Sequence, residues 1–513
     1  MVDLFGGTPE SNPLTVKTVQ LLDTTLRDGE QAPGISLTPQ EKAEIAKHLD
    51  RADVDIIEAG SACTGIGERR TIKQVTDLNL DATVTSFARG VKQDIDLAMD
   101  CNVDGVNLVV PASDRHIKEK VNSTRDDIIE RTVDLVEYAK DHGLWVEVLG
   151  EDGSRADLEY LESLMASSLE AGADRVCYCD TVGWAGPERT YEVVERLASL
   201  GPTSTHTHDD LGLGMANVLA SLAAGADLVH ATVNGIGERA GNVALEEVAI
   251  ALHHVYDIET VELAELYDLA RVVSQYTGVP LPPNKAVIGQ NAFAHESGIH
   301  TDGTLKDERM YEPYPPELVG RERRLVLGKH TGRAGAQATL AEHGVSVTDE
   351  QLAEIVTRVK AIGDRGKRVT DDDLLAVADD VRGTEHERRV ELVDLTAASG
   401  GGTPTASVRL VVDGEERVAS GVGSGPVDAA VSAVKTAIGE AADAQLDAYQ
   451  VDAITGGTDA VVTVEVTMTL GDDTVTVSSS DADITRASVE AMVNALDRLF
   501  AKSGKDSMLI ADD

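Results

Sequence analysis

The chain has 513 residues, 42% of them apolar and only 3% aromatic, so two or three domains are expected, filled by aliphatic side chains and alanine. The 89 Asp and Glu outnumber the 45 Lys and Arg, leaving a formal charge of −44 dispersed along the whole length. That balance excludes nucleic acid as a partner and predicts a solvated, self-repelling surface whose stability rises with salt.

No run of 18 apolar residues occurs, and the opening MVDLFGGTPE lacks a basic-then-apolar leader, so a cytoplasmic location without a membrane partner is expected. The four cysteines stand at 63, 101, 177 and 179; Cys177-Tyr-Cys179 is too short for a C-x2-C zinc knuckle, and reduced core thiols are expected.

From residue 18 onward one unit recurs: a short apolar strand, a polar turn, then a helical stretch. The predicted strands are 19–23, 54–59, 82–87, 105–110, 144–149, 175–179, 204–208 and 227–233. Stretches such as PQEKAEIAKHLDRA and ADLEYLESLMASSLEAG between them carry apolar residues three to four apart. Eight such units predict an α/β architecture with a closed (β/α)8 TIM barrel over 18–280. An open doubly wound sheet would need a glycine fingerprint after the first strand, and that turn reads TTLRDGEQAPG. Residues 281–385 predict helical linker subdomains with two His-bearing stretches, AHESGIHTDG and GKHTGR. Residues 386–513, beyond the break ASGGGTPT, predict a small α+β domain with alternating strands and helices over 427–442 and 487–502. Lacking clustered His or carboxylate pairs, that domain suits sensing or assembly.

In such barrels chemistry sits where strands end and βα loops begin. The predicted strand ends carry Arg27-Asp28-Gly29-Glu30, Glu58, Arg89, Glu151-Asp152, Asp180-Thr181, His206-Thr207-His208-Asp209-Asp210 and Gly237-Glu238-Arg239-Ala240-Gly241-Asn242. Residues two apart on a strand project to one side, so His206 and His208 can reach one divalent ion, with Asp28 supplying oxygen and Asn242 available as a further ligand. A mixed N/O set suits Mg²⁺, Mn²⁺ or Zn²⁺. The competing reading pairs both imidazoles with loop backbone. Arg27 reads as a polariser of a substrate carbonyl, or else as an ion-pair partner of Glu30 or Glu58.

L-L-D-T-T-L-R-D-G-E-Q-A-P-G (21–34) and V-N-G-I-G-E-R-A-G-N (233–242) resemble the two signatures of the 2-isopropylmalate, citramalate and homocitrate synthases. The likeness extends through H-T-H-D-D-L-G, D-T-V-G, H-E-S-G-I-H and G-K-H-T-G-R. G-S-G-P-V-D-A-A (423–430) and T-G-G-T-D-A (455–460) resemble the family's regulatory, dimer-forming module. The acidic composition resembles that of extreme-halophile proteins.

The resemblance implies an acyltransferase joining acetyl-CoA to a small 2-oxo acid in branched-chain amino acid biosynthesis. It implies metal ligation by Asp28, His206, His208 and Asn242, Arg27 on the 2-oxo group, Glu151 near the reacting centre and Thr181 on the substrate carboxylate. It implies His300, helped by Tyr311, as the base acting on the acetyl methyl, in a homodimer whose linkers cover each other's sites. It implies isoleucine or leucine as effector at the C-terminal domain. Leu149 stands where isopropylmalate synthases carry a small Ser, which favours pyruvate and citramalate over 2-oxoisovalerate and isopropylmalate; one residue carries about 1–3 kcal/mol of such discrimination. Asn107 stands where isopropylmalate synthases place a His, and Asp209 replaces a frequent Asn. Two readings from other classes compete. A hydroxymethylglutaryl-CoA lyase would need a catalytic Cys after His208, and none follows. A non-catalytic metabolite-sensing paralogue is opposed by the intact Arg27, Asp28, His206 and His208 set.

Overall fold

The computed structural model describes residue 14 and residues 18–364, 369–383, 388–400, 402–439, 444–453, 462–471 and 473–502. Eight parallel strands close into one ring: β1 (Gln20–Asp23), β2 (Ile56–Ser61), β3 (Thr83–Arg89), β4 (Gly105–Pro111), β5 (Trp145–Glu151), β6 (Arg175–Asp180), β7 (Thr203–Thr207) and β8 (Leu228–Ala231). Ring closure is the parallel pairing of β1 with β8, Gln20 opposite Leu228 and Asp23 opposite Ala231. The predicted strand boundaries agree with these within two residues.

The helices alternate with the strands: α1 (Pro39–Arg51), α2 (Ile66–Thr76), α3 (Lys92–Met99), α4 (Arg125–Asp141), α5 (Leu158–Glu170), α6 (Pro187–Ala198), α7 (Gly214–Ala223) and α8 (Leu245–Tyr256). α1 starts where it does because Thr38 and Glu41 form a reciprocal capping box and Pro39 fits the first helical position. Leu21, Ile57, Val84, Leu108, Val148 and Val229 join the buried faces of these helices in one aliphatic core. None of the described helices is long and apolar enough to cross a membrane.

The chain divides into two compact units, Met1–Ala294 with Glu312–Arg324, and His295–Tyr311 with Leu325–Asp513. The first adds α9 (Leu266–Thr277) to the barrel. The second contains α10 (Gly298–Lys306), α11 (Arg333–Glu342), α12 (Asp349–Gly363) and α13 (Asp371–Arg382). It also holds two three-stranded antiparallel sheets, Val390–Gly400, Gly402–Val412 and Glu415–Val422 in one, Gln445–Ala453, Val462–Leu470 and Asp473–Asp481 in the other. Each sheet is followed by a helix, α14 (Pro426–Ile438) and α15 (Ile484–Lys502), and both helices bury alanine-rich faces in one core with the strands. The helix expected over 427–442 ends at Ile438, where Gly439 leaves helical geometry, and the second begins at Ile484, three residues earlier than expected. The T-G-G-T-D-A stretch (455–460) lies outside the described residues.

Candidate active site

β7 delivers His206 near its end and His208 just past it, and both side chains are buried. Their Nε2 atoms approach to 3.4 Å, and His206 Nε2 lies 3.7 Å from Asp28 Oδ2. Asp28 comes from the turn after β1, so ring closure between residues far apart in sequence builds the cluster. The donor atoms of Asp28, His206 and His208 all lie within 4.8 Å of one another. Asn242 reaches the same point through the loop after β8, its amide nitrogen donating to Asp28 Oδ1 at 3.0 Å and to the Ile236 carbonyl at 3.3 Å. A half-turn of that amide would present its oxygen instead. Gly237 makes the close approach possible: a Cβ there would stand 2.4 Å from the Asn242 amide nitrogen and 3.2 Å from Asp28 Oδ1.

These residues fit a divalent cation. Two imidazoles, a carboxylate and an amide converge, the imidazoles through Nε2, while the Nδ1 atoms on the other ring edges are buried without a hydrogen-bond partner. The expected alternative, two histidines bonded to loop backbone, is therefore absent at those atoms. Burial holds both imidazoles below their ordinary pKa, His206 well below, which keeps their lone pairs available. Burial opposes ionisation of Asp28, but the Arg27 charge and the two histidines outweigh it and hold its carboxyl well below the usual range.

Arg27 takes the ion-pair role expected as its alternative, with Glu58 and not Glu30. Its Nε bonds Glu58 Oε2 at 2.6 Å and its Nη1 bonds Asp28 Oδ2 at 2.6 Å, while the guanidinium stacks 4.9 Å from the Phe87 ring centre. Among the described residues Nη2 is bonded to no protein group, which leaves one edge of the fork for a ligand. Glu58, fully buried, is the hub behind it, accepting from Thr24 Oγ1 at 2.6 Å and from Asn107 Nδ2 at 2.8 Å. Asn107 thus supports Glu58. Glu30 is engaged elsewhere. Lys42 of α1, fully buried, pairs with Glu30 at 2.6 Å and Glu68 at 2.8 Å, and donates to the Leu26 carbonyl at 2.8 Å, immediately before Arg27.

β5 presents Glu147, Leu149 and Glu151 at successive alternate positions. Leu149 packs with Cys177, Cys179 and Val109 in an apolar wall. Glu151 is gripped by Lys120 Nζ at 2.5 Å and faces His116 Nδ1 at 3.3 Å, both from a π-helical turn (His116–Lys120) absent from the sequence reading. Thr181 Oγ1 accepts the Asp152 backbone N–H at 2.9 Å, so its own hydrogen is free to donate. Asp209 accepts the Gly214 N–H at 2.7 Å, and Arg89 turns outward to pair with Asp94. His300 and Tyr311 belong to the second unit, where their exposed rings stack with centroids 4.2 Å apart. His295 is buried and His330 exposed.

A second group of ligand-type side chains, Glu147, Cys177 and His230, lies deeper in the barrel. Glu147 Oε2 faces His230 Nε2 at 3.0 Å as an ion-pair contact and Ser204 donates to the same carboxylate, while His230 Nδ1 is also buried without a hydrogen-bond partner. The parity of Glu147 with Leu149 and Glu151 was the available signal for it.

The HMGL-like family matches residues 18–273, the family described as homocitrate synthase post-HMGL domain-like matches 287–367, and the LeuA allosteric (dimerisation) domain matches 368–500. The chain is 52% identical over 486 residues to a Methanothermobacter thermautotrophicus protein provisionally named (R)-citramalate synthase CimA, covering 94% of this chain and 98% of that one. It is 48% identical over 488 residues to the (R)-citramalate synthase CimA of Methanocaldococcus jannaschii, covering 94% of this chain and 99% of the relative. A hydroxymethylglutaryl-CoA lyase structure from Pseudomonas aeruginosa is similar to 52% of the chain at 24% identity and a TM-score of 0.48, spanning 96% of that lyase. On identity of this extent across nearly every residue, the chain belongs to the (R)-citramalate synthase family of HMGL-like proteins.

Proposed function

We propose that this chain is a cytoplasmic, homodimeric acyltransferase that condenses acetyl-CoA with pyruvate, giving (R)-citramalate and free CoA. The observation that carries the reading is the meeting of Asp28, His206 and His208 within 4.8 Å of one another, in a chain half identical to (R)-citramalate synthases. Asp28, His206, His208 and Asn242 would hold a divalent cation, Mg²⁺, Mn²⁺ or Zn²⁺. Bound there it would supply Lewis-acid polarisation of a 2-oxo carbonyl.

The chain's own residues account for the rest. Thr181 donates its free hydroxyl hydrogen to the pyruvate carboxylate, and Leu149 with its cysteine neighbours walls the methyl group. Arg27 offers Nη2 to the carbonyl oxygen as negative charge grows on it, and Glu58 fixes the angle of the fork. His300, stacked on Tyr311, is assigned the role of base that takes a proton from the acetyl methyl. The resulting carbon nucleophile bonds C2 of pyruvate, the carbonyl electron pair moves to oxygen, and that oxygen is then protonated. Water next cleaves the thioester, releasing CoA and making the condensation irreversible. Glu151, between Lys120 and His116, lies at the end of the same strand as Leu149 and is assigned to the reacting centre. The C-terminal domain is assigned the dimer contact and feedback by isoleucine or leucine, and the acidic surface adaptation to high salt.

The test is CoA release from acetyl-CoA in molar KCl with pyruvate or 2-oxoisovalerate as acceptor. Pyruvate is expected to give the higher kcat/KM. A preference for 2-oxoisovalerate would move the chain to isopropylmalate formation. No release with either acceptor, nor with any other 2-oxo acid, would leave only a binding module.

A further inference from the structure

Arg239 belongs to the loop after β8, yet its guanidinium is spent on two other loops. Nε and Nη2 bond Oδ1 and Oδ2 of Asp210 at 2.8 and 2.9 Å, a two-point fork onto the loop after β7. Nη2 also donates to the backbone carbonyl of Thr181, at 2.8 Å, in the loop after β6. Its backbone sits at φ +59°, a left-handed conformation that non-glycine residues hold only where their surroundings over-determine it. Asp210 is pressed from the other side as well: a Cβ on Gly183 would come within 2.8 Å of both its backbone nitrogen and Oδ2, so the β6 and β7 loops are in direct apposition. The backbone N–H of Asp209 donates to Gly241 at 3.0 Å, and His208 pairs in a strand bridge with Asn242. One side chain thus joins the loop of Thr181, the loop of His208 and its own loop, which carries Asn242.

We propose that Arg239 is a positioning residue that fixes the carboxylate-binding Thr181 relative to the cation ligands His208 and Asn242, so that the 2-oxo acid meets the cation at one set distance. The inference rests on the function proposed above and names what sets the geometry of that site. A lysine keeps the charge and loses the planar fork, so Arg→Lys should fail here, whereas an ordinary surface ion pair would tolerate it.

The experiment compares wild type with R239K, R239A, D210N and R239A/D210N, measuring KM for each substrate, Mn²⁺ affinity by equilibrium dialysis and thermal midpoint. In R239K and R239A the KM for pyruvate should rise about tenfold while that for acetyl-CoA stays within about twofold, because orientation of one substrate alone is lost. Mn²⁺ should bind several-fold more weakly, and the double variant should be no worse than R239A, since fork and acceptor act as one unit. An unmoved pyruvate KM, an equal rise in both KM values, or unmoved Mn²⁺ affinity overturns the proposal. If R239A does not fold, R239K and D210N decide it. Wild-type CoA release is measured first: no release with any 2-oxo acid overturns the functional reading and this inference with it, whereas an active wild type with insensitive variants overturns this inference alone.

Discussion

At the N-terminal end of the barrel, Asp55 accepts the backbone N–H of Leu21 at 2.9 Å, Asp104 that of Val84 at 2.8 Å, Asp174 that of Val146 at 2.7 Å and Asp50 that of Ala82 at 2.9 Å. At the opposite end, Asp28, His206 and His208 aim their polar atoms at one another and leave two buried ring nitrogens without partners. Both rims are rich in carboxylates, so polar residues at strand ends do not by themselves single out the reactive face. A cavity of about 490 Å³ opens at the N-terminal end, yet among its lining residues Asp50, Asp55 and Asp174 are committed to the strands and Asp227 to Arg175. What separates a site from a scaffold here is where the donor atoms point: the N-terminal carboxylates are spent on backbone N–H groups and an arginine, whereas His206 Nε2, His208 Nε2 and the Asp28 carboxylate converge on one another.

The contrast breaks most sharply by substitution at the two rims. His208→Ala should lower CoA release by about a thousandfold or more while leaving the thermal midpoint of the cation-free protein nearly unchanged. Asp174→Asn should do the reverse, holding kcat/KM within about twofold and costing about 1–3 kcal/mol of stability in denaturant titrations. Comparable activity losses for both would erase the distinction. A smaller effect sharpens the mouth alone: Leu149→Ala should move the ratio of kcat/KM for 2-oxoisovalerate over pyruvate upward by about 10–200-fold, the value of one to three kilocalories of pocket contact, and an unchanged ratio would remove Leu149 from the acceptor pocket.

A further prediction concerns Asp23, at the mouth end of β1, whose carboxyl is pushed up to about 7 by burial against the opposing bonds from Thr25. The folded state then binds its proton more tightly than the unfolded chain, so the contribution is present below the unfolded value near 4 and is lost as pH rises through 7. Asp23→Asn should flatten the fall of unfolding free energy between those limits by up to about 4 kcal/mol, read from denaturant titrations at several pH values. Parallel pH profiles for the two proteins would mean that Asp23 stays ionised.

Much of the barrel was legible because most strands are short apolar runs with a helix period on either side, and polar β7 (TSTHT) was legible through its H-x-H pair, because two residues apart on a strand is a fixed geometric relation. The pairings were not. Glu58 meets Arg27 across 31 residues and Asn107 across 49, and Arg175 meets Asp227 across 52, separations that only ring closure collapses. Nor does any spacing rule announce that Lys120 grips Glu151, because the π-helical turn that aims it has no periodic signature. The acidic residues Asp55, Asp104 and Asp174, each just before a strand, belong to a charge excess that reads from sequence as solvated surface, whereas they accept backbone N–H groups of neighbouring strands.

The sealed ammonium of Lys42 has a practical consequence. It is wholly shielded from solvent and touches the carbonyl one residue before Arg27, so an amine-reactive reagent can modify it only when α1 draws away from the strand-one turn. Under exchange conditions its labelling rate would therefore clock the local opening of that turn, residue by residue, and a cation or acceptor that steadies Arg27 and Asp28 would register as protection at a side chain it never contacts.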